Sequence, residues 1–159
     1  MIVCANPKAQ YKSYKSEIDE AISKVLEGDK YILGDEVEAF ETEFADFNRS
    51  KYCIGVGNGT DAIEISLRAL DIGPGDEVIT VSHTAVATIS AIERVGASPV
   101  LVDIDYNYFS LDTNYLEGSL TSKTKAIVLV HLYGQAGDIV HVEEFCKKND
   151  LYLIEDVAQ

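Results

Sequence analysis

Apolar residues recur along this chain in two alternating rhythms. Ile18, Ala21, Ile22, Val25 and Leu26 fall at the three-and-four spacing that lines one face of a helix. Val37, Phe40, Phe44 and Phe47 repeat it beyond a loop around Gly34. Two amphipathic helices therefore lead. Residues 52–56 then form a short apolar run containing glycine, and Ala62, Ile63, Ile65, Ser66, Leu67 and Leu70 make a helix face, which reads as strand, glycine turn, helix. Ile72-Gly73-Pro74-Gly75-Asp76 is dense turn chemistry, followed by a strand at 77–81 and a helix at 84–95. Further strands are expected at 99–102, 126–130 and 152–154, with helices at 116–120 and 140–149. Continuous apolar strands separated by helices define an α/β protein in three layers, a mostly parallel sheet covered by helices on both faces. Ligands of such a sheet lie outside the carboxyl ends of its strands, so candidate chemistry is sought there. The pattern shows no internal repeat, low-complexity segment or interdomain linker.

Length and charge narrow the function. At 159 residues and 47% hydrophobic content, the chain has the size of one domain and can bury about 68–70% of its unfolded surface. Its net charge of -14, from 27 acidic and 13 basic side chains, excludes the basic surface that a nucleic-acid backbone or an anionic membrane requires. No apolar run approaches the ~20 residues that span a bilayer. Residues 1–15 are polar and lack the apolar stretch of a signal peptide, which predicts a cytoplasmic location. Cys4, Cys53 and Cys146 have neither metal-ligand nor CxxC spacing and read as free thiols, with Cys53 expected to pack in the interior. His83, His131 and His141 show no paired metal-ligand spacing, so no metal site is expected.

Two features carry chemistry. Gly55-Val56-Gly57-Asn58-Gly59-Thr60-Asp61 sits between the expected strand and helix, where unpaired backbone amides and the positive end of the helix dipole favour an anion. Glycine lets the backbone approach closely, and the Thr60 hydroxyl can add a hydrogen bond to a phosphate oxygen. The alternative is a tight turn in which Thr60 caps the helix. A dinucleotide fingerprint does not fit, because GxGxxG needs glycine where Thr60 stands, and no GKS or GKT occurs for a Walker loop. The second feature is Asp156, which follows the last apolar strand and so lies at the carboxyl edge of the sheet. An aspartate there can cap a following helix. Paired with a phosphate cradle at 59–61, it is also what pyridoxal phosphate needs at its opposite end, a carboxylate that keeps the pyridine nitrogen protonated.

The ordered motifs GNGTDAI (57–63), GPGDEVIT (73–80), SHTAVAT (82–88), GASPVLVDID (96–105), HLYGQAGD (131–138) and IEDVAQ (154–159) resemble the DegT/DnrJ/EryC1/StrS family of sugar aminotransferases across nearly the whole chain. The resemblance implies part of the large domain of a fold-type I pyridoxal-phosphate-dependent aminotransferase, with the small C-terminal domain absent. The implied reaction is amino transfer, usually from glutamate, to a keto group on a nucleotide-linked sugar. It further implies that Gly59, Thr60 and Asp61 hold the cofactor phosphate, that Asp156 pairs with the pyridine nitrogen, and that Gln159 bonds the ring hydroxyl. Ala85 occupies a position that is often aromatic and stacks on the cofactor ring, which alanine cannot do. His83 is a candidate substrate contact or a structural histidine, and His131 is expected to be structural.

The family's Schiff-base lysine is expected beyond Gln159. None of the ten lysines here substitutes for it: Lys123 and Lys125 flank a polar turn, and Lys147 and Lys148 lie at a helix end. Three readings follow from the resemblance: an aminotransferase fragment inactive by itself, a non-catalytic module that holds cofactor or nucleotide-sugar, and part of a sugar dehydratase. Exposed sheet edges and the family's habit predict a homodimer or a complementary C-terminal chain.

Overall fold

The computed structural model describes residues 4–159; residues 1–3 of the polar N-terminal stretch lie outside it. The chain divides into two compact units, one ending at Gly55 and one formed by Val56–Gln159.

The first unit contains α1 (Pro7–Ser13), α2 (Lys15–Leu26) and α3 (Asp35–Asn48). The last two match the two leading helices of the apolar pattern. Helix α1 has no apolar periodicity. Its signal is local: the Asn6 side chain accepts from the Ala9 amide at 3.0 Å, and Pro7 occupies the first turn. Helix α3 begins with Asp35, Glu36 and Glu38, which complement its dipole, and ends at Arg49 in the left-handed conformation.

Residues 52–56 do not form the expected strand. A strand requires a neighbour to take its amides and carbonyls. These residues have no ladder partner among the described residues. The Gly55 amide instead donates to the Glu41 Oε1 at 2.6 Å, and Tyr52 and Ile54 stay exposed. Cys53 is half-buried, short of the interior position expected for it.

The second unit holds the core. Its elements are α4 (Gly59–Ala69), β1 (Glu77–Val81), α5 (Val86–Arg94), β2 (Ser98–Val102), α6 (Leu116–Ser119), β3 (Thr124–Val130), α7 (Ile139–Asn149) and β4 (Tyr152–Asp156). The four strands are all parallel in the order β2-β1-β3-β4. Successive side chains of a strand point to opposite faces. The unbroken burial of Ala126 through Val130 on β3 therefore means that both faces of the sheet are covered. Helix α5 packs on β2 and α4, α7 packs on β3 and β4, and α4 also reaches β4. This is the three-layer α/β arrangement read from the sequence. The flanking strands β2 and β4 mix buried and exposed positions, as edges do.

Turn chemistry fixes the entry to β1. The Asp76 Oδ2 accepts from the Gly73 amide at 3.0 Å. Gly96, at φ +86°, passes so close to Pro74 that a Cβ there would lie 2.9 Å from the proline Cγ. Only glycine meets both conditions without strain.

Candidate functional site

Strand β4 and the N-terminus of α4 meet at the carboxyl edge of the sheet. Helix α4 begins where it does because Asn58 caps it: its Oδ1 accepts from the Asp61 amide at 3.0 Å, and its Nδ2 donates to the Asp61 Oδ2 at 2.8 Å. Thr60 is thus released from the capping role that the sequence left open. The amides of Gly59 and Thr60, at the first two helical positions, have no hydrogen-bond partner among the described residues, nor does the Thr60 hydroxyl. Of the three positions expected to face a phosphate, Asp61 is engaged within its own turn, and its Oδ1 lies 3.7 Å from the Arg94 guanidinium. Arg94 also approaches Glu64 at 3.5 Å, so a cation stands beside both carboxylates of this helix. The Arg68 guanidinium, with Arg94 beside it, holds the Glu64 carboxyl below the usual range.

Asp156 ends β4. Its main-chain carbonyl accepts from the His131 amide at 3.0 Å. The carboxylate is held at both oxygens: Oδ2 accepts from the Thr88 hydroxyl at 2.9 Å, and Oδ1 from the Ala158 amide at 3.2 Å. Thr88 in turn lies 3.0 Å from the Thr84 hydroxyl. Gly59 and Asp156 line one cleft of about 240 Å³, together with Ala62, Ser66 and Ala158. A Cβ on Gly59 would make an ordinary contact with the Ala158 side chain at 4.0 Å. No lysine lines the cleft. Lys123 and Lys125 lie at the amino end of β3, and Lys147 and Lys148 pair with Glu143 and Glu117 at 2.7 and 2.6 Å.

The remaining candidates form a second group. The Gln159 Oε1 accepts from the Tyr133 amide at 2.7 Å, which leaves the side-chain NH2 as its free donor. Tyr133 adopts φ 61°, uncommon for a non-glycine residue, and its hydroxyl lies 3.1 Å from the His83 Nε2. His83 and Gln159 are therefore joined through a residue the sequence did not flag. Ala85 is the exposed N-cap of α5, with extended backbone and no side chain able to cap. His131 is a satisfied interior histidine: its Nδ1 accepts from the Gly137 amide at 2.9 Å, which makes Nε2 the donor to Glu155 at 2.9 Å in the neutral ring.

A larger cleft of about 340 Å³ lies between residues 105–114 and 136–138. Its carboxylates serve local turns and a cap: Asp105 accepts from the Asn107 and Tyr108 amides, Asp112 from Asn114, and Asp138 from His141. The smaller cleft is the one where an unpaired helix N-terminal amide, that of Gly59, and the Asp156 carboxylate occur together.

Thr88, Tyr133 and Asn58 were missed in the sequence. A polar residue among the apolar positions Ala91 and Ile92 of α5 was the available signal for Thr88. Tyr133 had none, since a left-handed tyrosine is set by its surroundings.

A parallel sheet with helices on both faces and a helix N-terminus beside its carboxyl edge is the α/β architecture of fold-type I aminotransferases, represented here in part. The chain belongs to the DegT/DnrJ/EryC1/StrS aminotransferase family, whose sequence profile matches residues 12–159. It is 51% identical over 146 residues to a dTDP-3-amino-3,6-dideoxy-alpha-D-galactopyranose transaminase of Aneurinibacillus thermoaerophilus, covering 92% of this chain and 40% of that protein. DesV of S. venezuelae superposes with a TM-score of 0.95 at 41% identity, over 97% of this chain and 42% of DesV. NtdA of Bacillus subtilis, solved with bound cofactor PMP, gives a TM-score of 0.88 at 35% identity, over 91% of this chain and 33% of NtdA. The chain thus spans about 40% of the curated relative's length.

Proposed function

We propose that residues 1–159 are the N-terminal part of the large domain of a pyridoxal-phosphate-dependent nucleotide-sugar aminotransferase. The observation that carries this is the cleft shared by Gly59 and Asp156. The unpaired amides of Gly59 and Thr60, at the positive end of the α4 dipole, suit a phosphate, and the Thr60 hydroxyl adds a third donor. Asp156 offers a fixed carboxylate to a protonated pyridine nitrogen, and the Gln159 NH2 is free for a ring hydroxyl. The donor set therefore fits pyridoxal phosphate. Bound there, the cofactor supplies an electron sink that lets an amino group pass between carbon skeletons.

This chain's residues contribute binding and orientation. Gly59 and Thr60 anchor one end of the ligand, Asp156 the other, and Arg94 offsets the negative charge that Asp61 and Glu64 bring near an incoming phosphate. Ala85 leaves the ring face open, and His83 and Tyr133 lie together beside Gln159, where a substrate contact is assigned to His83.

The substrate proposed is a dTDP-linked 3-keto-6-deoxyhexose, with glutamate as donor, by analogy with the relative that forms a dTDP-3-amino sugar. The protein is proposed to act in the cytoplasm as a homodimer; no described helix is long and apolar enough to cross a membrane.

The test is to titrate the protein with pyridoxamine phosphate, then supply the keto sugar and glutamate and follow the aminated product by mass spectrometry. Failure to bind pyridoxamine phosphate sinks the cofactor assignment. Binding without product is the outcome expected of residues 1–159, whose cleft holds no lysine, and product formed by them alone would overturn that expectation.

A further inference from the structure

Thr80 and Thr88 are the fully buried polar side chains among the described residues; Thr80 donates to the Val128 carbonyl within the sheet, and the cofactor reading leaves Thr88 without a role. It is fully buried on the inner face of α5, flanked one turn on by Ala91 and Ile92, also fully buried. A buried hydroxyl needs a partner. In a helix, threonine can find one in the carbonyl four residues back. Thr88 instead reaches across to β4 and donates to the Asp156 Oδ2 at 2.9 Å. An ionised carboxylate only accepts, so the single Thr88 proton is committed to it. The 3.0 Å contact between Thr84 and Thr88 is therefore a bond that Thr84 donates. The result is a directed chain, Thr84 to Thr88 to Asp156, in which each bond polarises the next.

Resting on the reading of Asp156 as the pyridine partner, we propose that Thr88, supported by Thr84, is a positioning residue that sets the plane of the Asp156 carboxylate for the cofactor nitrogen. A carboxylate turns freely about its terminal torsion, which has no sharp minima. Two donors remove that freedom: Thr88 at Oδ2 and the Ala158 amide at Oδ1. Each oxygen keeps a further lone pair for a ligand N–H. Thr88 is suited to the task because burial excludes competing water. The hydroxyl thus does for Asp156 what outer hydrogen bonds do for metal-binding histidines, fixing the orientation of the group that touches the ligand.

The test uses pyridoxamine phosphate carrying 15N at the ring nitrogen, read by calorimetric affinity and by the pH titration of the bound 15N signal. Thr88→Val should weaken binding roughly tenfold, the usual scale for a lost hydrogen bond to a charged group, and move the nitrogen titration to lower pH. Thr88→Ser, which restores the hydroxyl, should return both to wild-type values. Thr84→Val should shift them in the same direction by less. Wild-type affinity and titration in Thr88→Val, while Asp156→Asn alters both, overturns the proposal. So does an equal loss in Thr88→Ser and Thr88→Val, which would make the role one of packing. If Asp156→Asn also changes neither, the cofactor reading is the one that fails. Should Thr88→Val not fold, as judged by near-ultraviolet circular dichroism, Thr84→Val decides, and an unshifted titration there overturns the relay.

Discussion

Asn58 and Thr60 stand two residues apart with different duties. Asn58 satisfies the Asp61 amide and so holds the helix end, whereas the Thr60 hydroxyl bonds nothing among the described residues. Asn58→Ala should therefore lower stability by about 1 kcal/mol, the usual cost of a lost helix cap, measurable by urea denaturation. Thr60→Ala should leave the urea midpoint unchanged and weaken pyridoxamine phosphate binding about tenfold. Equal stability losses in the two variants would contradict this division. Among the thiols, burial pushes Cys146 up to about 11, while Cys4 is exposed. Since the thiolate is the reactive form, iodoacetamide at pH 8 should label Cys4 in the native protein and spare Cys146 until the chain is unfolded. Early labelling of Cys146 by peptide mass mapping would count against the buried position.

The pair of helices α4 and α5 is tied by Glu64, which bonds Arg68 on its own helix and approaches Arg94 on the next. Because its folded pKa lies below the unfolded value, with the Arg68 hydrogen bond the largest cause, the stabilisation is present above the ordinary glutamate value of about 4.3. It disappears as pH falls through the lower folded value. Arg68 is exposed and Glu64 half-buried, so the effect is small and screened by salt. The melting temperature of wild type and Glu64→Gln should differ at pH 7 and converge on acidification toward pH 3. A constant gap would mean that packing, not charge, ties the helices. The turn between α5 and β2, where it packs on Pro74, offers a sharper test. Gly96→Ala combines positive φ with a clash against Pro74 and should cost 1–2 kcal/mol or about that.

For the whole molecule, the stabilising mass is the sheet interior of the second unit. Leu129 is fully buried on β3, and Leu129→Ala should cost about 2–5 kcal/mol through lost burial and a cavity, seen as a lower urea midpoint. The same sheet leaves β2 and β4 as open edges among the described residues. Such edges pair readily, so light scattering should report self-association that rises with concentration. A monodisperse monomer at high concentration would remove the dimer from the proposed function.

The sequence by itself determined the element order of the second unit, because runs such as 126–130 are too short and continuous for an amphipathic helix and suit strands buried on both faces, and the turn residues at 73–76 separate α4 from β1. It also placed Asp156 at the carboxyl edge, since position along a parallel sheet follows from strand direction, whereas Gly59 and Thr60 were referred to a strand at 52–56 that does not form. Where a segment's state depends on a neighbour, the sequence was silent or misleading: residues 52–56 have strand composition but no ladder partner. Helix α1 arises from a cap and a proline rather than a pattern. Only the tertiary structure decided that Asn58 and not Thr60 closes the helix, that Tyr133 joins His83 to Gln159, and that Thr88 reaches Asp156 across 68 residues of chain. Those are questions of which donor meets which acceptor, and long-range geometry answers them where local composition cannot.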